Sequence, residues 1–195
     1  VEKERTRFQI DTLINRMKEL GIDDDLTLAK LREGDINELA AVVVANVSHL
    51  GVWMPWAVKD YGVENAREFI ERNLANEDPK AQTFGIFYEG KIAGCAGFVP
   101  QDEKGVAEIG YWISREHQGK GIITRCTRAL ADHAFRDLNV DRVEIHAAAL
   151  NLRSRAIPER LRFDLEERRK AAHPLPNGII DDLVVYSMHK RNWNL

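Results

Sequence analysis

The sequence predicts an α+β fold, a mixed and mostly antiparallel sheet of six to seven strands with helices on both faces. Three observations lead there. Two apolar runs, 83–88 and 91–98, flank Glu89-Gly90 as a β-hairpin. A further run, 106–113, feeds a glycine-containing loop and then a helical stripe of Ile123, Cys126, Leu130, Ala134 and Leu138. A last pair of runs, 165–172 and 179–189, brackets a turn between Pro174 and Gly178.

The remaining elements follow in chain order. Ile10, Leu13, Met17 and Leu20 share one helical face over residues 5–20, Gly21 ends that helix, and Asp23-Asp24-Asp25 forms an acidic link. Residues 1–22 are therefore expected to be an N-terminal helical extension and 23–195 the main domain. The first strand is 26–31. Asp35 and Glu38 have capping-box spacing ahead of a stripe of Ile36, Leu39, Val43, Val47 and Leu50. A Trp53-Met54-Pro55-Trp56 loop leads to a helix carrying Ala66, Phe69, Ile70 and Leu74. After the glycine loop and its helix, Asn139 is a stop signal, 142–148 a strand and 154–161 a short helix.

Composition bounds the function. At 195 residues, 44% hydrophobic and 30% charged, the chain suits one soluble domain with a single core. A net charge of −3 gives no electrostatic footprint for nucleic acid. No apolar run approaches the roughly 20 residues that span a bilayer, and no signal peptide is evident, so no membrane partner is expected. Cys95 and Cys126 lack metal or redox spacing, which predicts two reduced thiols in a cytoplasmic protein. No histidine pair has zinc spacing, and no metal is expected. The chain starts at Val1, so an initiator methionine is expected to have been removed or to lie upstream.

The stretch from Glu108 to Thr124 carries the chemistry. An apolar strand ends at Ile113, and two glycines flank Lys120 where a helix begins. Unpaired amides and the positive dipole end at such a start suit a phosphate. A P-loop is excluded, because Ser114 stands where its first glycine belongs and Gly121 where Ser or Thr must follow the lysine. A dinucleotide fingerprint fails at Thr124. On the glycines alone, a turn that merely tightens a strand-to-helix connection accounts for the pattern equally well.

The surrounding residues add a resemblance. Gln118-Gly119-Lys120-Gly121 resembles the Gln/Arg-x-x-Gly-x-Gly/Ala signature by which N-acetyltransferases of the GNAT superfamily grip the pyrophosphate of acetyl coenzyme A. Asn46 with His49-Leu50, the Trp53–Trp56 loop, Thr83–Ile86, Glu108–Ile113, Asn151 with Ser154, Asn177-Gly178 and Asp182–Ser187 are similar to the branch that acetylates ribosomal-protein N-termini. The resemblance covers about residues 26–193 and makes 23–195 a GNAT domain. It implies acetyl-CoA as cosubstrate and a sheet that splays between 108–113 and 142–148. It places pantetheine against Trp112 and Ile113, with an amide near Ile113 polarising the thioester. The amides of Gln118, Gly119, Lys120, Gly121, Ile122, Ile123 and Thr124 hold pyrophosphate, and Asn151 steadies the pantetheine arm. Relatives often pair, so a homo-oligomer is an expected arrangement.

The acceptor is an amine. A peptide α-amino group, with pKa near 7.7–8.0, is about one-tenth neutral at pH 7, whereas a lysine near 10.4 is almost wholly charged. An N-terminal protein acceptor thus needs only a modest base, with a small amine as the alternative and a silent acyl-CoA-binding module as the rival. Ser154 matches the family position that protonates the leaving thiolate, and serves equally as a helix cap. Glu108 is the candidate base or water-positioner; a surface carboxylate alternating with inward apolar residues is the competing reading. Relatives place an acid shortly before Asn-Gly, but 172–176 reads Ala-His-Pro-Leu-Pro, leaving His173 as a substitute or an exposed turn residue. Trp53 and Trp56 either wall an acceptor pocket or anchor their loop. Cys126 falls on an apolar stripe and is expected in the core. Arg153, Arg155, Arg160, Arg162, Arg168 and Arg169 could serve an adenosine 3′-phosphate or form a solvated face. Ile123 replaces a small residue of the signature and must point inward. Arg162 replaces a glycine at the end of the short helix, where a left-handed cap costs about 1 kcal/mol.

Overall fold

A computed structural model describes residues 19–193. Eight strands form one sheet: β1 (Glu19–Asp23), β2 (Leu26–Ala29), β3 (Thr83–Tyr88), β4 (Lys91–Val99), β5 (Val106–Ile113), β6 (Arg142–Ala148), β7 (Asp164–Pro174) and β8 (Ile180–His189), in the order β1-β2-β3-β4-β5-β6-β8-β7. Four helices accompany them: α1 (Ile36–Leu50), α2 (Val63–Ala75), α3 (Ile122–Arg136) and α4 (Leu152–Arg160). Leu39 and Val43 of α1 and Ala66 and Ile70 of α2 pack with Ile92 and Cys95 on one face of the sheet. On the other face Cys126, Leu130 and Ala134 of α3 pack with Ala107, Ile109, Val143 and Ile145. Ile123 is buried there, as its β-branched side chain requires, and Cys126 is a buried free thiol.

The N-terminal boundary differs from expectation. Leu20 does not close a helix, and Gly21 does not end one: both lie in β1, where Leu20 pairs with Leu28 across an antiparallel hairpin. Half-buried Leu20 and Ile22 alternate with exposed Glu19, Gly21 and Asp23, a period of two that outweighs the helical spacing of Leu20 to Met17. The sheet thus starts four residues before the expected domain start at 23. Residues 5–18, the body of the expected helix, lie outside the described residues.

Two helix details also depart from the pattern. The Asp35–Glu38 capping box does not form. Asp35 Oδ2 accepts from Arg32 N–H at 2.7 Å, closing the preceding turn, and Glu38 Oε1 accepts from Ile92 N–H at 2.8 Å, tying α1 to β4. On α2, Leu74 is exposed and Asn73 is buried instead. Its amide donates to Thr83 C=O at 2.7 Å and accepts from Thr83 N–H at 2.9 Å, so a side chain completes the start of β3 as a strand would.

The pairing of β5 with β6 positions the glycine loop and the cavity beside it. All neighbouring strands are antiparallel except β5 and β6, which pair in parallel through only three residues, ending at Glu108↔Glu144. Beyond that point β5 stays with β4 as far as Ile113↔Gly94, while β6 stays with β8 as far as Ala148↔Leu183. Asp181 and Asp182 hold the departing strand, accepting from Leu150 N–H at 2.7 Å and Ala149 N–H at 2.8 Å. The sheet opens into a V whose apex is the Glu108–Glu144 pair.

Candidate active site

The V leads directly into the glycine loop. Gly119 and Gly121 have φ of +76° and +75°, the left-handed region, and a Cβ on either would meet nothing within 4 Å. Gly121 is the N-cap of α3, and the first helical bond runs from Arg125 N–H to Gly121 C=O at 3.1 Å. The amides of Ile122, Ile123 and Thr124 therefore precede the first helical bond and have no acceptor within the helix, the arrangement an anion needs.

Side chains from three directions fix this cradle. Asn46 Oδ1, on α1, accepts from Arg115 N–H at 2.8 Å. One turn later His49 Nε2 lies 2.6 Å from Gln118 Nε2 and must be the acceptor, because the Gln nitrogen can only donate. Gln118 Oε1 in turn accepts from Arg153 Nη1 of α4. Burial, then the charges of Arg115 and Arg153, hold His49 below its ordinary value; a hydrogen bond with the Ile113 backbone works against that shift. Arg160 Nη1 donates to Thr124 Oγ1 at 2.8 Å, and Lys120 Nζ sits over the Tyr88 ring, 5.3 Å from its centre. Arg153 and Arg160 thus stand at the cradle. Arg155 instead donates to Tyr186 Oη (3.1 Å) and Ala149 C=O (2.9 Å), and Arg168 to Asp182 (2.7 Å).

Ser154 does not cap α4. Asn151 is the N-cap, its Oδ1 accepting from Ser154 N–H at 3.1 Å, because the helix begins two residues earlier than its sequence pattern suggests. Among the described residues the Asn151 amide nitrogen has no partner, so it keeps a donor for a ligand. Pro158 lies four residues after Ser154 and lacks the N–H that would bond the Ser154 carbonyl. Tyr111 Oη fills the gap, donating to that carbonyl at 3.0 Å. With its proton so committed, Tyr111 accepts from Ser154 Oγ at 3.3 Å. Burial raises the Tyr111 hydroxyl well above the usual phenol range, so it stays protonated.

On the α1/α2 face a cavity of about 450 Å³ is lined by Met54, Trp56, Tyr61, Cys95, Gly110 and Trp112, among others. Trp56 packs against Trp112 (5.8 Å between ring centres) and Tyr61 (6.1 Å). Burial pushes the Tyr61 hydroxyl up to about 12. Trp53 is half-buried in the same loop and does not line the cavity.

Glu108 lies at the apex of the V, largely enclosed. Gln101 Nε2 donates to its Oε2 at 2.8 Å, and His146 Nδ1 is 3.4 Å from the same oxygen. His173 is not a turn residue: β7 continues to Pro174, and His173 pairs with Asp181 near the far end of the β7–β8 hairpin. Arg162 adopts φ +62°, the left-handed cap expected of a glycine. Among the described residues no cluster could hold a metal ion, and no helix is long and apolar enough to cross a membrane.

Comparison with known proteins identifies the fold's relatives. The family model for the acetyltransferase (GNAT) domain matches residues 25–164. YdaF of Bacillus subtilis, provisionally named a ribosomal N-acetyltransferase, is 37% identical over 175 residues, 88% of this chain and 95% of its own. The microcin C7 self-immunity acetyltransferase MccE, solved with acetyl-CoA and AMP, is similar with a TM-score of 0.82 and 28% identity, over 88% of this chain and 96% of its own. RimL, a ribosomal L7/L12 α-N-protein acetyltransferase solved with coenzyme A, has a TM-score of 0.80 and 25% identity, over 88% and 97%.

Proposed function

The chain belongs to the GNAT acetyltransferase family, an acyltransferase that uses acetyl-CoA, and from that premise we propose that its acceptor is the N-terminal α-amino group of a ribosomal protein. The observation that carries the reading is the V at Glu108–Glu144, which opens between a left-handed glycine cradle and an aromatic cavity. In this reading the amides from Gln118 to Thr124 hold the pyrophosphate, with Arg153 and Arg160 adding charge. Backbone groups of Trp112 and Ile113, free of β6, meet the pantetheine and polarise the thioester. The Asn151 amide steadies the arm, Trp56 walls the acceptor pocket, and Glu108 accepts the amine proton. Ser154 Oγ protonates the leaving thiolate by rotating its single proton away from Tyr111 Oη, which holds the hydroxyl at rest.

Two relatives named for ribosomal-protein acetylation support a protein acceptor, and a ribosomal acceptor is consistent with a cytoplasmic enzyme. An α-amine also fits a site with one enclosed carboxylate, since about a tenth of it is already neutral at pH 7. The test is acetyl transfer from acetyl-CoA to a panel of ribosomal-protein N-terminal peptides, internal-lysine peptides and polyamines, with mass spectrometry locating the acetyl group. Acetylation of α-amines is expected. Turnover confined to polyamines or lysine side chains would overturn the reading.

A further inference from the structure

The apex of the V holds more than one carboxylate. On β5, Ala107, Ile109, Tyr111 and Ile113 face α3, so Glu108 and Gly110 share the face of Trp112 and the aromatic cavity. On β6, Val143, Ile145 and Ala147 face α3, which turns Glu144 and His146 to that same side. Glu108 lies directly across from Val99, and Val99 and Gly110 both line the cavity.

His146 sits between the two acids. Its Nε2 is 2.8 Å from Glu144 Oε2, and its Nδ1 is 3.4 Å from Glu108 Oε2. All three side chains are largely enclosed: 17% exposed for His146, 16% for Glu108 and 10% for Glu144. A neutral imidazole has one N–H and one lone pair. With Nε2–H donated to Glu144, the lone pair on Nδ1 faces Glu108, so the trio has a vacancy for one proton. Once that proton is taken, the imidazolium lies between two carboxylates and both contacts are charge-assisted. The other charged groups around it are Arg142, 2.8 Å from Glu144 Oε1 and 3.0 Å from Glu103, with Glu166 at 3.9 Å. From β7, Glu167 and Arg169 act on the group at longer range and pair with each other at 2.8 Å.

Resting on the acetyltransferase reading above, we propose that His146, with Glu144 behind it, relays the amine proton away from Glu108. The amine nitrogen bonds the acetyl carbon, the carbon–sulfur bond breaks, and the nitrogen's surplus proton passes to Glu108 and on to Nδ1 of His146. The thiolate takes its proton from the Ser154 hydroxyl, which recovers one from solvent, and the relay returns its own to solvent, so protons balance. His146 is a positioning and relay residue that acts through Glu108. Its place explains how the site works with no acid in 172–176: the second carboxylate comes from β6.

The test uses His146→Gln, whose amide N–H can still donate to Glu144 but which cannot take up a proton. It is assayed on whichever amine the wild-type enzyme acetylates. We expect kcat to fall about 10- to 100-fold, with the KM for acetyl-CoA within about threefold and the acid limb of the pH–rate profile flattened. Wild-type kcat and an unchanged profile in H146Q would show a merely structural histidine and overturn the relay. Glu144→Gln, expected to lose about tenfold in kcat, carries the same test if H146Q fails to fold, with acetyl-CoA affinity as the check on each. A polyamine as the true acceptor would overturn the ribosomal reading while leaving this comparison intact. A wild-type enzyme that acetylates no amine would overturn both.

Discussion

At the scale of single residues, the pair Tyr111–Ser154 depends on a proline. Pro158 withholds one helical N–H, the freed carbonyl of Ser154 captures the Tyr111 hydroxyl, and that hydroxyl then receives Ser154 Oγ. Ser154→Ala should lower kcat on the order of 10²-fold with little change in KM, because in the proposed reaction the hydroxyl acts on the leaving thiolate. Tyr111→Phe should lower kcat less and also cost about 1–3 kcal/mol of stability, since a carbonyl loses its donor. Equal Tm values for Tyr111→Phe and wild type would refute the account of Pro158. His49 gives a prediction in pH. Its folded value lies below the unfolded 6.5, so its contribution is full above 6.5 and is lost as pH falls through the folded value. Wild-type Tm should therefore drop below pH 6.5 by a component that His49→Gln lacks; parallel Tm–pH curves would contradict it. The left-handed glycines at the start of α3 were legible in the sequence because a strand-to-helix turn is a local pattern, whereas Ser154 stands out by resemblance and Glu108 by its place on the strand. The roles of His49, Arg153 and Tyr111 were not legible, because each arises from a contact made across at least 35 residues of chain.

At the scale of elements, periodicity served well wherever a segment's neighbours were already decided by its own pattern. The 83–99 hairpin and the 106–113 strand needed nothing else. It failed where a tertiary partner outbid a local one: Glu38 is spaced for a capping box yet bonds Ile92, 54 residues away. The end of α4 shows the opposite case, a local misfit kept in place. Arg162 holds φ +62° where glycine would sit without strain. Arg162→Gly should raise stability by up to about 1 kcal/mol, the cost of that cap, which for a chain of this size is roughly 2–4 °C in Tm. Calorimetry on the folded variant checks it. A fall in Tm would mean that the Arg162 side chain, not its backbone, holds the turn.

At the scale of the whole molecule, the V exists because β6 follows β8 rather than β5, and no single segment of sequence states that choice. Only the three-residue ladder ending at Glu108↔Glu144 records it. The same topology puts β1 at the far edge of the sheet, four strand places from β5, or about 19 Å at ~4.8 Å per strand. An ion-pair network ties the end of β1 and the turn after it to the cradle helix: Arg125 Nη1 is 2.6 Å from Asp23 and 3.0 Å from Asp25. Arg125 is 33% exposed and both carboxylates more so, and water screens such a network too strongly for it to shape the proposed phosphate site. Leu20 and Ile22, by contrast, pack against the core, and removing them exposes apolar surface at roughly 25 cal/mol per Å². A chain beginning at residue 23 should therefore melt below one beginning at residue 19, while binding acetyl-CoA within about threefold, well under 1.4 kcal/mol. Equal melting temperatures would mean that β1 adds nothing to the sheet. A large loss of acetyl-CoA affinity would mean that residues 19–22, and not only the Asp23–Arg125 link that the shorter chain retains, set the position of the helix start.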